Sequence, residues 1–173
     1  GSTTDVAMAL RRTVAKLSVQ TTIDAAFAEK YSGTITATGV KLSKAASQSP
    51  VIAPATPSPG AMSYTHTQTA TAAAGRYDNL FYVFENGALA EGNRVQLEIT
   101  ASYDADGRTS TTSDRTEIVY TVPVTGKAGG AIVRNGYYRI EAAITGLVGS
   151  EVGLTITVAD WESPVTQQID LGA

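Results

Sequence analysis

Between Val95 and Tyr103 the chain alternates without a break: Val95, Leu97, Ile99, Ala101 and Tyr103 fall on one side of an extended backbone, and Arg94, Gln96, Glu98, Thr100 and Ser102 on the other. Successive side chains of a strand point to opposite faces, so this two-residue period marks a strand buried on one side only. A helix would scatter both sets around its axis. The same period recurs in Ile118, Tyr120, Val122 and Val124, in Tyr138, Ile140, Ala142 and Ile144, and in Val152, Leu154, Ile156 and Val158. Less regular versions occupy 13–22, with Ala15, Leu17 and Val19 inward, and 34–42, 80–85 and 165–171. The count predicts about eight strands, within bounds of seven to nine.

The breaks between these segments carry turn chemistry. Asn86-Gly87, the Asp-Ala-Asp-Gly run from Asp104 to Gly107, the glycines of 126–130, Asn135-Gly136 and 146–149 all offer residues that accept the positive φ of tight turns. Meander or Greek-key pairing follows. One short helix is expected over 23–31, where Ile23, Ala26, Phe27 and Tyr31 stand near helical spacing and Gly33 can close the end. With 173 residues there is length for one ordinary core. The fold class is therefore all-β, a single antiparallel β-sandwich with at most one short helix, over 13–173. Residues 1–12 form an N-terminal segment whose opening Gly1-Ser2 has the look of a cloning remnant.

The stretch 43–74 differs in kind. Pro50, Pro54, Pro57 and Pro59 precede a Thr/Ala-rich tract holding Tyr64 and His66, which reads as a long surface connection with one edge strand near Met62–Thr67. A functional loop and a loose insertion both fit that composition.

Several function classes lose their support. A net charge of −3 and the absence of any Lys/Arg stripe give nothing to hold a nucleic-acid backbone. Cysteine is absent, so disulfides, thiolate metal sites and a Cys nucleophile are excluded. No apolar run approaches the roughly 20 residues that a spanning helix needs. Neither the dinucleotide nor the phosphate-loop glycine pattern occurs, and no cofactor is expected. His66 is the single histidine, without a G-x-S-x-G elbow to serve. Asp104 and Asp106 open like a calcium loop, but Arg108, Thr109 and Arg115 stand where that loop needs a third oxygen ligand, a glycine and a glutamate. Asp160 and Glu162, flanking Trp161, share a strand face without a glycosidase signature. Among eight tyrosines, Tyr77, Tyr82, Tyr137 and Tyr138 are candidates for core packing or for stacking on a ligand. No catalytic, cofactor or metal residues are assigned, and the chain is not expected to be an enzyme.

Strand edges are the remaining chemistry. An unpaired edge presents free N–H and C=O groups that a strand from another subunit can complete. Val165, Ile169 and Leu171 alternate with Thr166, Gln168 and Asp170, the pattern of a donated strand and equally of an ordinary last strand.

Four segments bear on family: RTVAKL at 12–17, FYVFEN at 81–86, RNGYYRI at 134–140 and VADWE at 158–162. Together they resemble the fimbrillin family, the Mfa-like fimbrial subunits of Bacteroidetes surface pili, over 12–162. The resemblance implies a transthyretin-like sandwich, export to the cell surface and outer membrane from a lipoprotein precursor, and polymerisation by strand exchange after an Arg-specific protease removes an N-terminal segment. Arg11 and Arg12, ahead of the first strand, are where such a cut would fall; plain surface charge is the other reading. Relatives commonly carry two sandwich domains, and this chain has length for one. Function is thus expected to be that of a fimbrial subunit or pilus-associated adhesin, with other pilus subunits as partners. The alternative is a solitary surface sandwich that recognises glycan or host protein through its loops.

Overall fold

The alternating segments form eight strands among the described residues: β1 (Val14–Ile23), β2 (Thr34–Ala45), β3 (Met62–Thr67), β4 (Arg76–Phe84), β5 (Gln96–Asp104), β6 (Arg115–Pro123), β7 (Tyr137–Ile144) and β8 (Leu154–Asp160). The structure, a computed structural model, describes residues 12–52, 55–67, 75–124, 128–148 and, as backbone only, 154–160. The strands make two four-stranded sheets in the orders β4-β1-β7-β8 and β3-β2-β5-β6, the two layers of the expected all-β sandwich. Every neighbouring pair is antiparallel except β1 and β7, which run parallel with Leu17 beside Tyr138 and Val19 beside Ile140. This corrects the all-antiparallel expectation at one pairing. Alternation tells which face a strand buries and says nothing about the direction of its partner.

The buried sets are those that the period selects. In β1, Ala15, Leu17, Val19 and Thr21 face inward, flanked by Tyr77, Phe81 and Val83 of β4 and by Tyr138, Ile140, Ala142 and Ile144 of β7. The facing sheet contributes Leu42, Leu97, Ile99 and Tyr120, which share one apolar cluster with all of the first set except Thr21 and Tyr77. β2 is irregular for a structural reason. Its register shifts between Ala37 and Gly39, so the inward residues change from Ile35 and Ala37 to Val40 and Leu42. A bulge of this kind inserts one residue and reverses the parity of everything after it.

Three local expectations are revised. The helix, α1 (Ala25–Lys30), is shorter than 23–31: Asp24 caps it, its carboxylate accepting from the Ala26 N–H at 2.8 Å, and it ends where the extended Tyr31 donates its N–H to the Phe27 carbonyl. Ile23 remains in β1, and Gly33 lies outside the helix, pressed against the Asp104 carbonyl and the Tyr103 ring where no side chain would fit. Phe27 is buried against the rings of Tyr31 and Tyr103, at centroid distances of 4.7 and 5.9 Å. β4 begins four residues earlier than the alternation at 80–85 implies, because its inward Asn79 is polar and hides the pattern. Asn86-Gly87 is not a positive-φ turn: Asn86 exchanges backbone hydrogen bonds with Ile132. Gly107, Gly129, Gly130 and Asn135 do take positive φ as expected.

The connection at 43–74 contributes Ser43 to Ala45 to β2 and, as expected, an edge strand at Met62–Thr67. Val152 and 165–171 lie outside the described residues.

The burial assignment is directly testable. Leu17→Ala, at a fully buried position, is expected to lower unfolding free energy by about 2–5 kcal/mol in urea denaturation, whereas Leu80→Ala on the opposite face of the same sheet should change it by less than about 0.5 kcal/mol.

Candidate functional site

The rim where β4 ends and β7 begins gathers a dense set of charged and polar interactions. Glu85 follows β4, and Arg134 lies just before the turn at Asn135 that starts β7. Their side chains form a bidentate pair: Arg134 Nε donates to Glu85 Oε2 at 2.7 Å, and Nη2 donates to Oε1. Only 11% of the arginine side chain and 6% of the glutamate side chain is exposed. Removing two charges from water is costly unless their remaining hydrogen-bonding capacity is met. Here the long connection meets it. Arg134 also donates to the Val51 and Pro50 carbonyls at 3.0 and 2.8 Å, while Glu85 Oε1 accepts from Ser49 Oγ and the Ala55 N–H, both at 2.9 Å. Beside it, Asn86 Nδ2 donates to the Ser58 carbonyl at 2.6 Å and Oδ1 accepts from the Ser58 N–H at 3.2 Å.

The Pro-rich stretch, anchored in the second sheet through β2, is therefore fastened to the rim of the first sheet. Among its described residues, Ser49, Pro50, Val51, Ala55 and Ser58 take part in this fastening. Between this stretch and the rim lies a cleft of about 320 Å³, lined by Gln48, Pro50, Thr56 and Pro59 with Glu85 and Asn86 at its base. The apex bears Val51 and Ile52, which are 81% and 97% exposed. Hydrogen bonding to Arg134 holds the Glu85 carboxyl down at about 2 against the opposing effect of burial, with the Ala55 N–H and Ser49 hydroxyl adding to the arginine.

A second surface lies on the solvent side of the first sheet. Register places Lys16 between Tyr82 of β4 and Tyr137 of β7, all on the outer face. The Lys16 ammonium sits 4.5 Å from the centre of the Tyr137 ring. A groove of about 210 Å³ runs here, bordered by Arg12, Val14, Lys16, Tyr82, Asn135 and Tyr137. Tyr77 and Tyr138, the other two tyrosines named as candidates, are core residues.

The remaining candidates are dispersed. His66 points into the sandwich, stacked on Phe81 at 4.2 Å between centroids, and is a packing residue. Asp104 and Asp106 do converge, joined by Asp114, which spacing had not indicated, with one carboxylate oxygen of each within 4.8 Å of the others. Each carboxylate serves the loop: Asp104 accepts from the Gly107 N–H and Arg115, Asp106 from the Arg108 N–H, and Asp114 from the Asp106 N–H. Arg12 is exposed at the entrance to β1, and Arg11 lies outside the described residues. So do Val165, Ile169 and Leu171, and so do Trp161 and Glu162 beside Asp160. No helix among the described residues is long and apolar enough to cross a membrane.

No protein-family profile and no curated protein matches the chain by sequence. Its fold is similar to that of a candidate cell adhesion protein from Bacteroides eggerthii, at 16% identity and TM-score 0.55 over 87% of this chain and 56% of that one. It is similar as well to a candidate cell adhesion protein from Parabacteroides distasonis, at 13% identity and TM-score 0.55 over 91% and 54% respectively. The chain thus spans little more than half the length of either, and at such identities the likeness is one of fold.

The depressed Glu85 carboxyl gives a pH dependence with a definite sign. Because the folded value is lowered from about 4.5 to about 2, the stabilisation is complete above that upper value and fades as pH falls through the lower one. Unfolding free energy should drop by roughly 3 kcal/mol between about pH 5 and pH 2 on account of this group. Glu85→Gln is expected to be less stable than the parent at pH 7 and to lose most of that acid-dependent component, as measured by denaturant unfolding across the range.

Proposed function

We propose that this chain is a cell-surface subunit of the fimbrial, adhesive kind, which joins its neighbours by lending and accepting strands at the edges of its sheets. The observation that carries the reading is the open architecture: β3, β4, β6 and β8 are each paired on one side only among the described residues. An edge of this sort satisfies its outward N–H and C=O groups by water or by another strand, and a strand supplies geometry as well as hydrogen bonds. The solved structures of similar fold are described as candidates for cell adhesion, and the fimbrillin-like segments are consistent with them. Under this reading the partners are other copies or related subunits, export proceeds from a lipoprotein precursor, and 165–171 is the strand to be donated. Arg11 and Arg12 are the processing site, since a cut there falls immediately ahead of β1.

A second reading, a solitary sandwich that binds glycan or host protein, is favoured by the fastened loop. Its Val51-Ile52 apex is apolar, exposed and held at its base by Arg134, a suitable form for a contact surface.

Arg-specific proteolysis of the full chain, followed by size analysis over a range of concentrations, separates the two. Assembly by strand exchange is expected to give oligomers whose share rises with concentration, and Arg11→Ala with Arg12→Ala should abolish the response. A cleaved chain that stays monomeric at every concentration overturns the assembly reading and leaves the solitary one.

A further inference from the structure

We propose that the outer face of the first sheet carries a binding site for a carboxylated pyranose, built from Lys16, Tyr82 and Tyr137 with Arg12 and Asn135 at its rim. The three central residues occupy one row across three adjacent strands, since Lys16 pairs with Tyr82 on one side and Tyr137 on the other. Strand spacing sets the backbones of the two tyrosines about 10 Å apart, with that of Lys16 between them. Tyr82 is 54% exposed, a large aromatic surface to leave in water.

Charge identifies the ligand class. Lys41, Arg76, Arg115, Arg134 and Arg139 each have a carboxylate partner. Lys16 has none among the described residues, and no carboxylate there borders the groove. Its neighbour is the Tyr137 ring, which holds the ammonium by its negative face and leaves the N–H donors for an anion. Arg12 adds a second positive charge at the opening. The exposed Tyr82 ring asks for something besides charge: a tyrosine face attracts the positively polarised C–H groups that line one side of a pyranose ring. The carboxamide of Asn135 and the Tyr82 hydroxyl can meet sugar hydroxyls. A neutral sugar leaves both cations unused, and a bare phosphate or sulfate leaves the exposed Tyr82 ring unused. The site is independent of strand exchange, because it lies on a sheet face and engages no edge hydrogen bonds.

The test is a titration of the full chain with trigalacturonic acid and with 3′-sialyllactose, each beside its neutral counterpart, the methyl ester and lactose, followed by amide chemical shifts and calorimetry. Both acids are expected to bind, with shifts centred on 14–18, Tyr82 and 135–137, and both neutral forms should bind roughly tenfold or more weakly. Lys16→Gln and Tyr82→Ser should each weaken acid binding to a similar extent, Lys16→Arg should retain it, and Leu80→Ser, on the same face outside the groove, should leave it unchanged. Should Tyr82→Ser fail to fold by thermal unfolding, the contrast of Lys16→Gln with Lys16→Arg decides. Absence of binding by both acids overturns the proposal, as does equal binding of acid and neutral forms. Inorganic polyphosphate binding as tightly as the acids, or shifts centred on the Pro-rich cleft, overturns it too.

Discussion

β1 is paired on both sides, antiparallel to β4 and parallel to β7, and every second residue from Ala15 to Thr21 is sealed from solvent. That one strand fixes the register of the first sheet, and with it the position of everything the sheet carries. Its inward residues supply the floor on which the second sheet packs. Its outward Lys16 is placed between two tyrosines by the same ladder. A slip of one residue would exchange the two faces, bringing Lys16 into the core and Leu17 into water. The burial of Leu17 and Val19 therefore maintains the outer surface as firmly as it does the core.

The clamp at Glu85 and Arg134 does comparable duty for the long connection. In that stretch the run of N–H donors that a strand ladder needs is interrupted by Pro50, Pro54, Pro57 and Pro59. Its carbonyls and the Ser49 hydroxyl instead converge on one buried arginine and one buried glutamate from the other sheet. A segment without secondary structure is thereby tied to both layers, to one through β2 and to the other through ionic hydrogen bonds. Both charged residues fall inside the segments 81–86 and 134–140 that carry the fimbrillin-like resemblance, which gives those residues a structural role.

Much of the fold was legible because half-buried strands announce themselves. β1, β5 and β7 bury the residues that alternation selects, and the edge strand at Met62–Thr67 stands where the Thr-rich tract begins. What was hidden has physical causes. The parity change at Ala37 and Gly39 broke the pattern in β2, an inward Asn79 masked the start of β4, and strand direction leaves no trace in a two-residue period. The clamp and the Lys16 row were invisible for a different reason: each joins residues far apart in the chain, and only pairing brings them together. Composition drew the eye to the lone histidine and the Asp104 loop, which turned out to be a half-buried ring stacked on Phe81 and a self-bonded turn.

The parallel partnership of β1 with β7 sets the order in which the molecule can become itself. Thr22 Oγ1 and the Ala142 carbonyl, which meet at 3.5 Å, are 120 positions apart. Closing so long a loop costs entropy before any contact compensates for it, which makes such topologies slow to fold. During synthesis β1 emerges well before β7, leaving Leu17 and Val19 without their full shelter until the later strand arrives. A nascent chain of this design keeps its first sheet open until β7 has been made, and the apolar side of β1 spends that interval without its second neighbour.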